Sequence, residues 1–332
     1  MKNVLVTGGC GFLGSNFLNE MVVRYPGIHF HNLDKLDYAG SKDNITVQNY
    51  PNYHFYHCDI NDRSFVLFIM DRFRIDGVVH LAAQTHVDNS FDHSLQYTKD
   101  NVLGTHTLLD CAKEYGKIQL FLHMSTDEVY GEVDSEHPGC PEKYVLNPTN
   151  PYAATKAAAE MLVNSYYHSY QLPLIIIRCN NMYGKNQYPE KIIPKFINHL
   201  LDGKRLPIHG TGITRRNFIH VLDVVDALDI ILQKGVLGEV YNIGTNNEYT
   251  VLEIAQLLVN LFGKDVTNDL QGYVVFIQDR PFNDFRYSVN SDKISELGWK
   301  QTRINFEREL ENLIQEEIKK RARVQERNVG ET

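Results

Sequence analysis

The chain has 332 residues, 43% of them hydrophobic and 22% charged, with a formal net charge of −8. That length and composition describe a folded globular protein with a sizeable core, built as one large domain or a domain with a smaller companion, and exclude a disordered or fibrous chain. The acidic balance argues against nucleic acid as the main partner, no apolar run approaches the roughly 18 residues of a membrane span, and cysteines scattered at 10, 58, 111, 140 and 179 without a C-x-x-C pair fit a reduced, cytoplasmic setting.

The first element is a strand over Asn3–Thr7, which runs straight into glycines and leaves no basic-then-apolar leader. A helix follows the glycines to about Arg24. His29–Leu33 is a second strand ending in Asp34, and His54–Cys58 a third ending in Asp59. A helix over Ser64–Phe73 leads to a fourth strand, Gly77–Leu81, followed by Ala82 and Ala83. A long helix over Leu95–Tyr115 precedes the fifth strand, Leu120–Met124, which ends at Ser125. Tyr152–Tyr170 is a helix and Leu174–Ile177 a sixth strand. Near-continuous apolar strands separated by helices predict a parallel sheet covered on both faces.

After Arg178 the elements shorten and glycine and proline rise. Phe218–Val221 reads as a strand and Val224–Gln233 as a helix, with further periodic segments at Val240–Ile243, Val251–Phe262 and Val274–Ile277. The expected division is a dinucleotide-binding domain over 1–180, to which 216–235 returns, a substrate-binding domain over 181–215 and 236–320, and a tail over 321–332. Lys319–Arg323 reads as a solvated basic helix end rather than a targeting signal. The expected fold class is therefore α/β: a doubly wound parallel Rossmann sheet with a smaller C-terminal α/β domain.

Gly8, Gly11 and Gly14 give a G-x-x-G-x-x-G spacing between the first strand and the first helix. Glycines there allow the tight turn and let a diphosphate approach the backbone, while the helix amino terminus offers free N–H groups and partial positive charge. Phe12 and Leu13 belong to the same turn. Asp34 stands 20 residues after Gly14 at the end of the second strand. Its carboxylate suits the two adenosine ribose hydroxyls and repels a 2′-phosphate, so NAD is expected over NADP. Lys35 and Asp37 follow it in the cofactor set. Asp59 and Ile60 are expected beside the adenine, and Leu81, Ala82 and Ala83 under the cofactor at the sheet edge.

Tyr152 and Lys156 are spaced i, i+4 at the start of a helix and so share one face. A phenol beside an ammonium is a base device: the cation lowers the phenol's pKa and also grips the nicotinamide ribose. Ser125 and Thr126, at the end of the fifth strand, complete a Ser/Thr–Tyr–Lys set.

On these residues the sequence resembles the extended short-chain dehydrogenase/reductase family, and within it the nucleoside-diphosphate-glucose 4,6-dehydratases, as far as about Trp299. The most diagnostic string is Ser125-Thr126-Asp127-Glu128-Val129-Tyr130-Gly131. Related epimerases lack the adjacent Asp-Glu pair; related decarboxylases and GDP-mannose dehydratases keep the Glu with a hydroxyl residue before it. The resemblance implies that C4 of the sugar is oxidised, that Glu128 removes the acidified C5 proton, that protonated Asp127 helps water leave from C6, and that the stored hydride returns to C6. A carboxylic acid is kept neutral by burial and a neighbouring carboxylate. A cofactor used in this way is recycled at each turnover and stays tightly bound.

The same resemblance carries substrate residues. Asn181 and Lys191 match positions at the sugar nucleotide, and Asn180 a position at the cofactor. Arg216 and Arg280 match arginines that hold diphosphate or nucleoside, where a guanidinium can bind two phosphate oxygens at once. The hexamer Asp279–Asp284 with Asn283 is expected to close over the nucleotide, and Leu206-Pro207-Ile208-His209 to line the base or ribose through Leu206 and Ile208. Thr85 is expected at sugar or cofactor, and His86 is read as structural. The strings around Ala83–Ser90, Asn180–Gly184, Arg280–Asp284 and Tyr241–Thr245 look more like the eukaryotic UDP-glucose 4,6-dehydratases of rhamnose synthesis than the bacterial dTDP-glucose enzymes. Those usually carry Asn at the positions of Met182 and Val251. A 4-epimerase or decarboxylase of the same fold is the competing reading, with Asp127 as the discriminating residue. A non-catalytic NAD sensor has no use for Thr126, Asp127, Glu128, Tyr152 and Lys156 together. No metal-ligand spacing is evident. Apolar faces on the helices at Leu95–Tyr115 and Tyr152–Tyr170 suit a homodimer through a four-helix bundle, as in the family.

Overall fold

The computed structural model describes residues 1–264 and 270–330. Seven parallel strands form the main sheet: β1 (Asn3–Thr7), β2 (His29–Asp34), β3 (Tyr53–His57), β4 (Gly77–His80), β5 (Leu120–Met124), β6 (Leu174–Cys179) and, much later in the chain, a strand at Val240–Ile243. Its order runs from the Val240–Ile243 strand through β6, β5, β4, β1 and β2 to β3. The order reverses between β1 and β4, the place where a doubly wound sheet opens a crevice at the carboxyl ends of its strands. Helices α1 (Phe12–Arg24), α2 (Arg63–Arg72), α3 (Val87–Asp92), α4 (Ser94–Tyr97), α5 (Gly104–Tyr115) and α6 (Pro151–Tyr170) fill the crossovers. Two apolar layers result. One packs α1 residues such as Phe17 and Leu18 on Val4, Val6 and Leu122; the other packs α2 and α5 residues such as Ile69 and Leu108 on Leu5, Val78 and Phe121.

The helix expected over Leu95–Tyr115 is not continuous. Between α4 and α5, residues Thr98–Leu103 form a π turn, which turns Asp100 and Asn101 into the interior. A π turn inserts one residue into the helical ladder and leaves the neighbouring apolar periodicity almost intact, so the sequence pattern reads through it.

The remaining chain forms a second lobe. β7 (Asn181–Tyr183) and β9 (Arg215–His220) pair in parallel, and a strand at Glu248–Thr250 joins β9 antiparallel; β8 (Leu206–His209) pairs with a strand at Val274–Ile277. In chain order the later strands are β10 (Val240–Ile243), β11 (Glu248–Thr250) and β12 (Val274–Ile277), and the later helices α7 (Ile192–Leu201), α8 (Val221–Lys234), α9 (Val251–Leu261), α10 (Asp292–Glu296) and α11 (Phe306–Gly330). The return of 216–235 to the first sheet therefore needs correction. Its strand, β9, belongs to the second lobe, and only α8 returns, packing Val224, Val225 and Leu228 into the layer under α1. The strand that does join the sheet is β10, from the stretch assigned on sequence to the substrate domain. The tail expected over 321–332 continues α11 to Gly330, and Arg321 bonds Asp202 and Asn198, each at 2.6 Å. Residues 265–269 of the expected substrate domain and 331–332 of the expected tail lie outside the described residues.

Candidate active site

The crevice between β1 and β4 opens onto a cavity that collects every residue expected to bind the cofactor: Gly8, Gly11, Phe12, Leu13, Gly14, Asp34, Lys35, Asp37, Asp59, Ile60, Leu81, Ala82, Ala83, Tyr152, Lys156 and Asn180. The glycines are required by close approach. Gly8 has φ +70°, and a Cβ there would stand 2.6 Å from the Ala82 Cα; a Cβ on Gly14 would stand 2.2 Å from the Gly8 carbonyl oxygen. Gly11 caps α1 without any side-chain bond, so its first N–H groups face the cavity mouth uncapped by the protein. Asp34 fixes this loop as well as facing the cavity: it accepts hydrogen bonds from the Cys10 and Leu36 amides, each at 2.8 Å. Lys35 donates to Asp100 at 2.8 Å, and Gln84 donates to both Asp37 and Asp100 at 2.8 Å. Asp100 and Gln84 were not found from sequence, because the π turn that brings Asp100 here carries no local signature.

At the inner end of the cavity Thr126 begins a single 3₁₀ turn, Asp127–Tyr130, and its hydroxyl accepts from the Glu128 amide at 3.3 Å. Lys156 is buried and donates to the Met124 carbonyl at 2.5 Å. Burial lowers its pKa to about 8, which still leaves it mostly protonated at neutral pH. The lowering of the Tyr152 pKa expected from Lys156 does not hold in this geometry. Burial and then the charge of Glu128 push the phenol up, and the Thr126 hydrogen bond pulls the other way.

Asp127 is 2% exposed and lines neither this cavity nor the one that adjoins it. It accepts from Asn180 at 2.7 Å and from Thr126 at 3.2 Å. Burial first, and then the charge of Glu128, push its carboxyl up to about 7, against those two hydrogen bonds. Asn180 lines the cofactor cavity, yet both ends of its amide serve the protein: one holds Asp127, and the other accepts from the Thr245 amide at 3.1 Å. Glu128 is half-buried. Asn150 donates to its Oε2 at 3.0 Å, and the Tyr287 hydroxyl lies 3.4 Å from the same oxygen. Tyr287 in turn bonds the buried Asp284, which Thr149 also reaches. Sequence reasoning missed Asn150 and Tyr287, and named Asp284 only as the end of the hexamer expected over the nucleotide, not as a partner of Tyr287. A Pro-preceding Asn at a helix start is a cap signal that was available.

A second cavity adjoins the first, and Thr85, Glu128, Asn181, Met182, Gln187, Glu190 and Lys191 line both. Beyond that junction it is walled by Arg216, Arg280, Asn283, Val251, Pro207 and His209 among others. Arg216 lies over the Tyr287 ring at 4.5 Å and donates to Asn283 at 3.3 Å. Arg280 is paired with Asp88 at 2.5 Å, and Lys191 donates to the Thr85 carbonyl at 2.7 Å. His86 stands between Asp88 and Glu190, at 3.5 and 3.6 Å. One expectation fails here. Leu206 and Ile208 are fully buried in the core of the second lobe, and the strand's alternation turns Pro207 and His209 to the cavity instead. The string reaches the second cavity with the opposite face from the one expected, because a four-residue strand reading Leu-Pro-Ile-His has both an apolar and a mixed side that sequence alone does not orient.

Residues 5–313 match the family model described as GDP-mannose 4,6 dehydratase. The chain is 47% identical, over 92% of its length, to an Arabidopsis thaliana trifunctional UDP-glucose 4,6-dehydratase, 3,5-epimerase and reductase, and it spans 45% of that protein. It is 46% identical to the Homo sapiens dTDP-D-glucose 4,6-dehydratase over 90% of this chain and 85% of that one. Among solved structures it is similar to a Streptomyces venezuelae dTDP-glucose 4,6-dehydratase with NAD and TYD bound, at TM-score 0.88 and 37% identity, covering 94% of this chain and 96% of that one. It is also similar to the Thermotoga maritima UDP-glucose 4-epimerase with UDP-glucose, at TM-score 0.86 and 30% identity, covering 96% and 99% of the two chains. With its glycine-loop crevice and its Thr126, Tyr152 and Lys156 at the inner end, the chain belongs to the GDP-mannose 4,6 dehydratase family of extended short-chain dehydrogenases/reductases.

Proposed function

We propose that the protein is an NAD-dependent 4,6-dehydratase of a nucleoside-diphosphate glucose, and specifically of UDP-glucose, making the 4-keto-6-deoxy product with which rhamnose-type synthesis begins. The observation that carries the reading is the adjacent pair Asp127–Glu128: Glu128 is half-exposed to both cavities where they join, and Asp127 is buried directly beside it, with its carboxyl pushed up to about 7. Two neighbouring carboxyls in different environments divide acid and base work between them. An epimerase has no water to expel and needs no such pair.

The residues around the first cavity fit a dinucleotide. The positions where a Cβ would strike Ala82 and the Gly8 carbonyl leave backbone room for a diphosphate, and Asp34 suits the ribose hydroxyls of NAD. When bound, the nicotinamide supplies a reversible two-electron store. Tyr152, hydrogen-bonded to Thr126, takes the proton of the sugar's C4 hydroxyl, and Lys156, one turn further along the same helix, would hold the nicotinamide ribose. A ketone at C4 acidifies C5. Glu128 takes the C5 proton, and Asp127 gives its proton to the departing C6 oxygen. Arg216, Asn283 and Lys191 hold the nucleotide diphosphate and sugar, with Arg280 released to them from Asp88.

The choice of UDP is supported by Met182 and Val251, which both face the second cavity at places where dTDP-glucose enzymes of bacteria carry Asn. Incubation with UDP-glucose and dTDP-glucose in parallel tests both levels. The reading expects alkali-absorbing 4-keto-6-deoxy product with a higher kcat/KM for UDP-glucose. A preference for dTDP-glucose overturns the nucleotide choice, and no product from either overturns the activity. We further propose a homodimer through the apolar residues that α4, the π turn and α6 leave exposed, Leu95, Leu103 and Met161, and a reducing, cytoplasmic setting in keeping with five unpaired thiols. No described helix is long and apolar enough to cross a membrane.

A further inference from the structure

We propose that Asn150 is a positioning residue for the C5 proton transfer: one carboxamide caps the helix that carries Tyr152 and at the same time holds the Glu128 carboxylate against that helix end. The proposal rests on the reading of Glu128 as the C5 base. Asn150 has extended backbone and directly precedes Pro151, the first residue of α6. Its Oδ1 accepts from the Ala153 amide at 2.8 Å, which satisfies one of the orphan donors of the first turn. Its Nδ2, at the other end of the same amide, donates to Glu128 Oε2 at 3.0 Å. The residue is 5% exposed and lines the second cavity next to Glu128.

The two bonds tie together elements far apart in the chain. Glu128 stands on the turn after β5, and Tyr152 stands two residues into α6. The other hydroxyl near that carboxylate, that of Tyr287, is farther at 3.4 Å and is committed to Asp284. Asn150 is therefore the shorter of the two side-chain donors to Glu128 among the described residues. Other residues serve the cap equally well, since Ser, Asp and Asn rank together there. None of the alternatives does both jobs. Asp offers no donor and places a second carboxylate beside Glu128, and the shorter Ser hydroxyl, though it can accept and donate at once, does not span the distance between the Ala153 amide and Glu128 that the two ends of the carboxamide bridge. A carboxamide, with acceptor and donor pointing in opposite directions, is the side chain that meets both needs.

Asn150→Ser and Asn150→Asp separate the two roles, because both keep the cap. For each variant and the wild type, the melting temperature, kcat, KM, the pH–rate profile and the exchange of C5 hydrogen in D2O are measured with UDP-glucose or dTDP-glucose. The expected result is a melting temperature close to that of the wild type. In N150S, kcat and C5 exchange fall on the order of 10-fold, with KM little changed, because a general base loses its aim without leaving the site. In N150D, the acid limb of the profile moves up by about one pH unit, because two adjacent carboxylates resist ionising together. Wild-type kcat and an unshifted profile in both variants overturn the proposal, as does a loss of activity that only follows a fall in melting temperature. Absence of C5 exchange in the wild type with either sugar nucleotide overturns the dehydratase reading first, and this proposal with it.

Discussion

At the scale of single residues, the proposed site sets two neighbouring carboxyls in different surroundings, Asp127 buried and Glu128 half-exposed. Asp127 is held near 7 in the folded protein, above its ordinary value of 3.8, so the native state binds that proton more tightly than the unfolded chain does. Stability therefore falls as pH rises from about 4 to about 7, where the buried carboxyl ionises. D127N removes that cost, and its melting temperature should exceed that of the wild type by more at pH 8 than at pH 5. An equal difference at both values contradicts the buried, proton-holding carboxyl. The same variant should slow loss of water more than oxidation at C4, read by stopped-flow nicotinamide absorbance against product formation. Asp127, Glu128, Tyr152 and Lys156 were legible because their chemistry and spacing sit within two short strings. The second jobs of Asn150 and Asn180 were not, because their partners lie 22 and 53 residues away and only the fold brings them together.

At the scale of elements, the glycine turn is fixed by sterics. Gly14→Ala places a Cβ 2.2 Å from the Gly8 carbonyl, so the turn must open and the diphosphate site with it. The variant should purify with far less NAD than the wild type, counted as nucleotide released per mole of denatured protein; equal content contradicts the assignment. β8 offers a contrast between its two faces. Leu206→Ala opens a cavity in a packed core and should cost about 2–5 kcal/mol of stability with KM little altered. His209→Ala should raise KM with little effect on stability, and the reverse pattern contradicts the observed register. Long apolar strands such as β1 and β5 were readable at their full extent, because both of their faces are buried. β7 and β11, with three residues each, are too short to show a period, and their pairing is set by the second lobe rather than by local pattern.

At the scale of the whole molecule, the two lobes are joined through several returns of the chain. β10 closes the edge of the main sheet, and α8 is tied to α1 by Arg24–Asp229 at 2.8 Å and by the Tyr25 hydroxyl to the same carboxylate. The second cavity lies between the lobes, with Glu128 from one and Lys191 and Arg216 from the other among its lining residues. The fold class and the crevice were legible from strand alternation and the glycine turn; the passage of the chain between lobes was not, because no composition shift marks it. Leu103→Glu tests the proposed self-association: sedimentation should give twice the chain mass for the wild type and a lower mass for the variant, and a monomeric wild type contradicts it. The central claim is that C4 gives up hydrogen and C6 receives it while water leaves between them. It is tested most directly with a sugar nucleotide deuterated at C4, in ordinary water, with the product read by NMR. The account predicts a 4-keto-6-deoxy sugar carrying the deuterium at C6. Recovery of a hexose that keeps its C6 hydroxyl, with deuterium back at C4, contradicts it.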